Sequence, residues 1–140
     1  MRFLPRLSCA LASLTVLASI TVAVPQARAV ATHVVISEVS TRWSTAYDEF
    51  VELYNPTSSA VSLSSWKMQY ISAGGTVVEK ATLSAGATIP AHGFFLLGGT
   101  NASGNYTGSA TPDATFPGGL SDTGGHIRIL DASAVEIDRV

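Results

Sequence analysis

The sequence predicts an all-β sandwich that follows a cleavable N-terminal segment. After residue 29, no stretch shows the apolar period of an amphipathic helix. Instead, short runs rich in Val, Ile, Phe and Tyr alternate with clusters of Gly, Ser, Asn and Pro. Several short strands at regular spacing, separated by turn signals, are typical of two packed antiparallel sheets.

Residues 1–29 have the three parts of a secretory signal peptide. Arg2 and Arg6 form a basic head, residues 7–24 are apolar or small, and an Ala-x-Ala site ends at Ala29. Because the apolar run approaches the length of a membrane span, an uncleaved anchor is the alternative. The many Ala, Ser and Thr residues and the abrupt Pro25 favour cleavage. We therefore expect a secreted protein, extracellular or at the cell surface, without stable membrane insertion.

Cleavage would leave residues 30–140, which is enough for one small domain with a single core. The only cysteine, Cys9, leaves with the signal peptide, so no disulfide is expected to support the fold. Five basic residues against ten acidic ones give this segment a net charge of −5. Such a balance lacks the clustered Lys and Arg of non-specific nucleic-acid binding, although a local binding patch is left open.

Seven strands are predicted, and turn chemistry separates them. The predicted strands are, in chain order, 33–39, 49–55, 66–71, 76–83, 94–98, 126–130 and 135–140. Asn-Pro turns the chain after Tyr54, and Gly-Gly breaks it after Ala73. The connection 99–119 is polar, rich in glycine and without periodicity, which predicts either a mobile loop or a binding loop. No internal repeat appears, so one domain is expected.

Three carboxylates in the second predicted strand raise the question of a catalytic or metal-binding cluster. Alternation along a strand places Asp48 and Glu52 on one face and Glu49 on the other. Asp48 and Glu52 are then about 13 Å apart along the backbone, too far for a local acid–base pair. A metal site would need ligands from other strands, with Glu38 and Asp122 as conceivable contributors. We therefore interpret these carboxylates as hydrogen-bonding groups of the strand and expect no metal and no cofactor.

The remaining catalytic residue types do not form a motif. His33, His92 and His126 lie in separate segments, and none has a second metal-type ligand at a recognisable spacing. Ser121 and Asp122 precede His126, but a triad is defined by geometry, and serine is abundant in this chain. We expect no enzymatic activity.

The two tryptophans are predicted to have different roles. Trp66 alternates with Met68 and Tyr70, which predicts a buried apolar face. A second group of residues lies on the connections between strands, where aromatic and cationic side chains often provide a contact surface. The candidate contact residues are Arg42, Trp43 and Tyr47 on the first connection and Asn101 and Tyr106 on the long one. Trp43 could equally cap the end of the sandwich.

Four runs of the sequence resemble a known protein family. "VVISEV", "EFVELYNPTSSAVSLSSWKM", "TIPAHGFFLLGG" and "LSDTGGHIRILDASAVEIDRV" are together similar to the lamin tail domain family in its bacterial, secreted form. The block from Glu49 to Pro56, followed by Val61, Leu63 and Trp66, is the most specific part. Ser37 and Ser65 depart from the asparagine and glycine that are usual there, and Ser65 puts the turn before Trp66 in question.

The resemblance implies an immunoglobulin-like β-sandwich and a binding module without catalytic activity. Its ligand would be a macromolecule, namely a protein, a polysaccharide or extracellular DNA, while the oligomeric state is left open. Bacterial relatives often carry this domain beside secreted nucleases or phosphatases, so the alternative is an accessory domain that localises such an enzyme. The abrupt end at Val140, within the last predicted strand, leaves two readings: a fragment of a longer protein or a short gene product.

Overall fold

The computed structural model describes residues 30–41, 48–100 and 106–140. The expected signal peptide, residues 1–29, lies outside these ranges. The described residues form strands without any helix, so none of them builds a helix able to cross a membrane. The strands are β1 (Val35–Ser40), β2 (Phe50–Tyr54), β3 (Val61–Ser62), β4 (Lys67–Ser72), β5 (Val77–Thr82), β6 (Thr88–Ile89), β7 (Phe94–Thr100), β8 (Ala114–Pro117), β9 (Gly125–Leu130) and β10 (Glu136–Arg139).

These strands form two four-stranded sheets and one small pair. The first sheet has the order β1-β2-β7-β8, in which β7 and β8 are parallel and the other pairs antiparallel. The second sheet has the order β10-β9-β4-β5 and is antiparallel throughout. Strands β3 and β6 form a separate antiparallel pair. The prediction of an all-β fold is confirmed, and the arrangement is consistent with an immunoglobulin-like sandwich.

Both large sheets contribute to one hydrophobic core. The first sheet supplies Ile36, Val51, Leu53, Phe95, Leu97 and Phe116, and the second supplies Met68, Tyr70, Ile127 and Ile129. Trp66, directly before β4, is buried in the same cluster, as its alternation with Met68 and Tyr70 predicts. Without a disulfide, this apolar burial is the main stabilising contribution to the domain.

Seven of the described strands correspond to the predicted ones, and three short strands were not predicted. They are β3, β6 and β8. The prediction that 99–119 lacks regular structure is wrong for β8, which pairs with β7 from Leu97↔Ala114 to Thr100↔Pro117. The side chain of Asp113 also accepts a hydrogen bond from Leu96 N at 2.8 Å. Because β8 has only 4 residues, too few for a recognisable apolar alternation, its pairing with β7 decides its conformation.

The Asn-Pro turn is built around a buried amide. Asn55 is fully buried, and its Nδ2 donates to the carbonyl oxygens of Ser59 and Pro90 at 2.8 and 2.9 Å. Its Oδ1 accepts hydrogen bonds from the backbone N–H and the hydroxyl of Thr57. The predicted turn is therefore confirmed, and it also connects β2 to the segment that leads into β7.

Candidate binding site

A cleft of about 650 Å³ lies at one end of the first sheet, on the side that faces away from the core. Its lining includes Glu38 and Ser40 from β1, Phe50 from β2, and Asp48 just before β2. Tyr106 and the residues that follow it form the opposite wall. The cleft thus combines two aromatic side chains with two carboxylates, and each comes from an identifiable feature of the strands.

A β-bulge in β1 turns Glu38 towards this surface. Ile36 pairs with Leu53 and Val39 pairs with Val51, and the register shifts between Ile36 and Glu38. Both Ile36 and Val39 therefore pack against the core although they are three residues apart. Glu38 then pairs with Glu52 on the outer face, where strict alternation from Ile36 would have placed Glu38 inside.

A glycine in β7 makes room for the aromatic wall. Gly98 is the pairing partner of Phe50, and a Cβ added to Gly98 would lie 2.7 Å from the Cβ of Tyr106. Tyr106 can therefore pack over the strand only because position 98 has no side chain. Its ring meets that of Phe50 edge to face, with centroids 6.3 Å apart and planes at 76°.

The described residues that line the cleft carry negative charge. The hydroxyl of Thr107 donates a hydrogen bond to Asp48 Oδ1, which holds that carboxylate beside Tyr106. Burial, followed by the negative charges of Asp48 and Glu38, raises the pKa of the Tyr106 hydroxyl. Burial and the two acidic groups therefore favour the neutral form of the phenol.

Charge is distributed unequally between the two large sheets. The basic residues among those described all lie on strands of the second sheet, namely Lys67, Lys80, Arg128 and Arg139. There, Lys67 pairs with Glu79 at 2.9 Å and Arg139 pairs with Glu136 at 2.6 Å. The first sheet and the residues that adjoin it carry carboxylates instead, so its surface is acidic over the described part of the chain.

The third carboxylate of the central block, Glu49, does not belong to the cleft. It is buried, and its Oε2 accepts a hydrogen bond from Gly119 N at 2.7 Å and from Leu120 N at 3.2 Å. Glu52, on the opposite face, accepts a hydrogen bond from the Ser37 hydroxyl at 2.6 Å. The interpretation of these carboxylates as hydrogen-bonding groups of the strand is confirmed for both residues.

A second, smaller cleft of about 250 Å³ brings Ser121, Asp122 and His126 together. The Ser121 hydroxyl forms a hydrogen bond with the Thr123 hydroxyl at 2.9 Å and accepts another from Thr123 N. The three residue types therefore share a cleft, but the serine is engaged by Thr123 and not by His126. This geometry lacks the serine–histidine hydrogen bond that a nucleophilic triad requires.

The residues named as conceivable metal ligands do not converge. Glu38 lines the first cleft and Asp122 the second. His33, His92 and His126 are exposed in separate places. Over the ranges that the structure describes, no three His, Cys, Asp or Glu residues form a group able to hold a metal ion.

Among the predicted contact residues, Tyr106 is placed in the first cleft. The other four, Arg42, Trp43, Tyr47 and Asn101, lie outside the described residues. Phe50 and the two carboxylates of the cleft, Glu38 and Asp48, were not predicted from the sequence as contact residues. One sequence signal was available, because a glycine inside a strand often marks a close approach by another part of the chain.

Comparison with known proteins gives one family match. A family model described as Lamin Tail Domain matches residues 27–140. A search of curated proteins finds no match to the chain.

Proposed function

The chain belongs to the lamin tail domain family, and from this premise we propose that it is a secreted, non-catalytic binding module with an immunoglobulin-like fold. The family match extends over most of the chain, and two four-stranded sheets share one core. A rigid sandwich of this kind serves as a scaffold that presents a binding surface at its ends and faces.

The observation that carries the proposal is the cleft that Phe50 and Tyr106 line together. It is open to solvent, has aromatic walls and contains two carboxylates, which together provide apolar contact area and hydrogen-bond acceptors. We propose that a macromolecule, whether protein, polysaccharide or extracellular DNA, binds there. Glu49, by contrast, lies outside this cleft and supports the fold through the backbone of Gly119 and Leu120.

A binding screen tests the proposal. The purified protein is immobilised and exposed to cell-wall glycans, DNA fragments and extracellular proteins, and the retained ligand is measured by surface plasmon resonance. Tyr106→Ser should weaken binding at least about tenfold, because it removes one aromatic wall of the cleft. Phe94→Ser is the matched control, since Phe94 is a well-exposed aromatic residue on the other end of the same sheet.

The outcome for the two variants decides whether the cleft is the site. Equal loss in both variants would show that exposed aromatic surface in general, and not the cleft, retains the ligand. Unchanged binding of Tyr106→Ser would place the binding site elsewhere on the domain.

The absence of catalysis is a separate part of the proposal. Assays with phosphodiester, ester and glycoside substrates, with and without divalent metal ions, should stay at background. Turnover that disappears in His126→Ala would contradict a non-catalytic role and would assign chemistry to the second cleft.

Secretion is also part of the proposal, and it rests on the signal-peptide pattern of residues 1–29. Mass spectrometry of exported protein should find Val30 at the amino terminus. Recovery of the chain in the membrane fraction with Arg2 still attached would support the uncleaved anchor instead.

A further inference from the structure

The walls of the first cleft have the arrangement that attracts a cation. The rings of Phe50 and Tyr106 meet at 76°, so they form two sides of a corner and not a flat stack. An ammonium or guanidinium group near the face of an aromatic ring is attracted by the negative potential of the π system. Two rings that enclose a corner allow one cation to contact both.

The carboxylates that line the cleft also favour a cationic ligand. Glu38 and Asp48 line the corner, and Thr107 holds the Asp48 carboxylate by a hydrogen bond. Within the described ranges, no lysine or arginine lines this cleft, and the basic residues there belong to strands of the second sheet. A phosphate backbone or an acidic glycan would meet like charge in the cleft, whereas a cationic group would find two carboxylates.

We propose that the cleft binds the side chain of a lysine or arginine carried by a partner polypeptide. This inference rests on the binding role proposed above and names its ligand chemistry. The alkyl part of such a side chain would contact Phe50 and Tyr106 while its charged end reaches Glu38 and Asp48. A protein ligand is favoured over DNA because the described residues that line the cleft carry two carboxylates and no cation.

The test uses short peptides as probes. A blocked Gly-Lys-Gly peptide, its Nε-acetyl-lysine counterpart and Gly-Glu-Gly are titrated into the ¹⁵N-labelled protein, and backbone amide shifts are followed by NMR. The lysine peptide should shift the amides of Ser40, Phe50 and Thr107, and the shifts should weaken as salt is raised. The acetylated and acidic peptides should leave these amides unchanged.

Charge-removing variants separate the cleft from the general charge of the protein. Glu38→Gln should weaken the lysine peptide about two- to fivefold, the range expected for one exposed ion pair. The double variant with Asp48→Asn should weaken it about tenfold or more. Glu79→Gln makes the same charge change on the second sheet and should alter the affinity by less than about twofold.

The possible results separate this inference from the proposed function. If the acetylated peptide shifts the cleft as strongly as the lysine peptide, cation recognition is wrong, while a binding role for the cleft stands. The same conclusion follows if the screen retains DNA or a neutral glycan through Tyr106. If no probe shifts the cleft and Tyr106→Ser leaves every captured ligand bound, both proposals fail.

Discussion

Glu49 and Lys80 both form hydrogen bonds with the backbone of residues 117–120. The carboxylate of Glu49 accepts hydrogen bonds from the N–H groups of Gly119 and Leu120. The ammonium group of Lys80 donates to the carbonyl oxygens of residues 117, 118 and 119, with the shortest distance, 2.9 Å, to Gly118. Because Glu49 adjoins β2 of the first sheet and Lys80 lies on β5 of the second, residues 117–120 connect the two sheets.

The first prediction is that Glu49 is a structural residue. Glu49→Ala should lower the free energy of unfolding by about 2–3 kcal/mol, because it leaves the buried N–H of Leu120 and the part-buried N–H of Gly119 without an acceptor. Urea denaturation monitored by tryptophan fluorescence measures the change. Glu52→Ala, on the exposed face of the same strand, should cost less than about 1 kcal/mol. Equal costs for the two variants would contradict the role assigned to the buried carboxylate.

The second prediction concerns the core. Trp66→Ala should destabilise the domain by about 3–5 kcal/mol, because it removes a large buried side chain and leaves a cavity. Trp43→Ala, which changes a residue of the connection between β1 and β2, should leave the melting temperature nearly unchanged. Thermal melts compare the two variants. The reverse order would make Trp43 the core residue and Trp66 the contact residue.

The third prediction addresses the turn before Trp66. Ser65 has a φ of 63°, a left-handed conformation that costs a non-glycine residue about 1–2 kcal/mol. Ser65→Gly should therefore raise the free energy of unfolding, by at most about 1 kcal/mol, since glycine also gains entropy in the unfolded chain. Ser64→Gly is the control and should destabilise, because Ser64 has no positive φ to relieve. A lower melting temperature for Ser65→Gly would contradict the strain assigned to this turn.

The fourth prediction uses the ionisation of Tyr106. Burial and the charges of Asp48 and Glu38 raise its pKa in the folded state, so the fold favours the neutral phenol. This stabilising contribution is present below the pKa of an unfolded tyrosine and is lost as the pH rises through the higher folded pKa. An NMR titration of the ring carbon that bears the hydroxyl should find ionisation at higher pH than in a free tyrosine.

Variants separate the contributions of burial and of negative charge to the raised pKa of Tyr106. Asp48→Asn should lower the pKa of Tyr106 only in part, because burial is the larger cause. Glu79→Gln, a carboxylate change on the second sheet, should leave the titration of Tyr106 where it is. A titration of Tyr106 at the pH of an exposed tyrosine would show that the cleft neither buries the phenol nor surrounds it with negative charge.

Strand positions were predictable where side chains alternate between core and solvent. In β2, Val51 and Leu53 are buried while Phe50, Glu52 and Tyr54 are only partly exposed on the other face, as the alternation predicts. The short strand β8 was not predictable in this way, since its parallel partner β7 is separated from it by residues without periodicity. The alternation of apolar and polar residues along a strand predicts which face is buried. It does not predict which distant strand supplies the hydrogen bonds.

By itself the sequence determined the all-β class, seven of the described strands, the burial of Trp66 and the family, because each depends on residue type and on spacing along the chain. Only the tertiary structure decided that Glu38 points outwards and that Glu49 is buried by hydrogen bonds to a distant segment. The bulge after Ile36 turns Glu38 outwards, and the packing of residues 117–120 buries Glu49. A change of one residue in register moves a side chain to the opposite face, and that register is set by pairing between distant strands. The contact between the rings of Phe50 and Tyr106 also depends on the tertiary structure. Tyr106 reaches Phe50 only because Gly98 of β7, which has no side chain, lies beside Phe50.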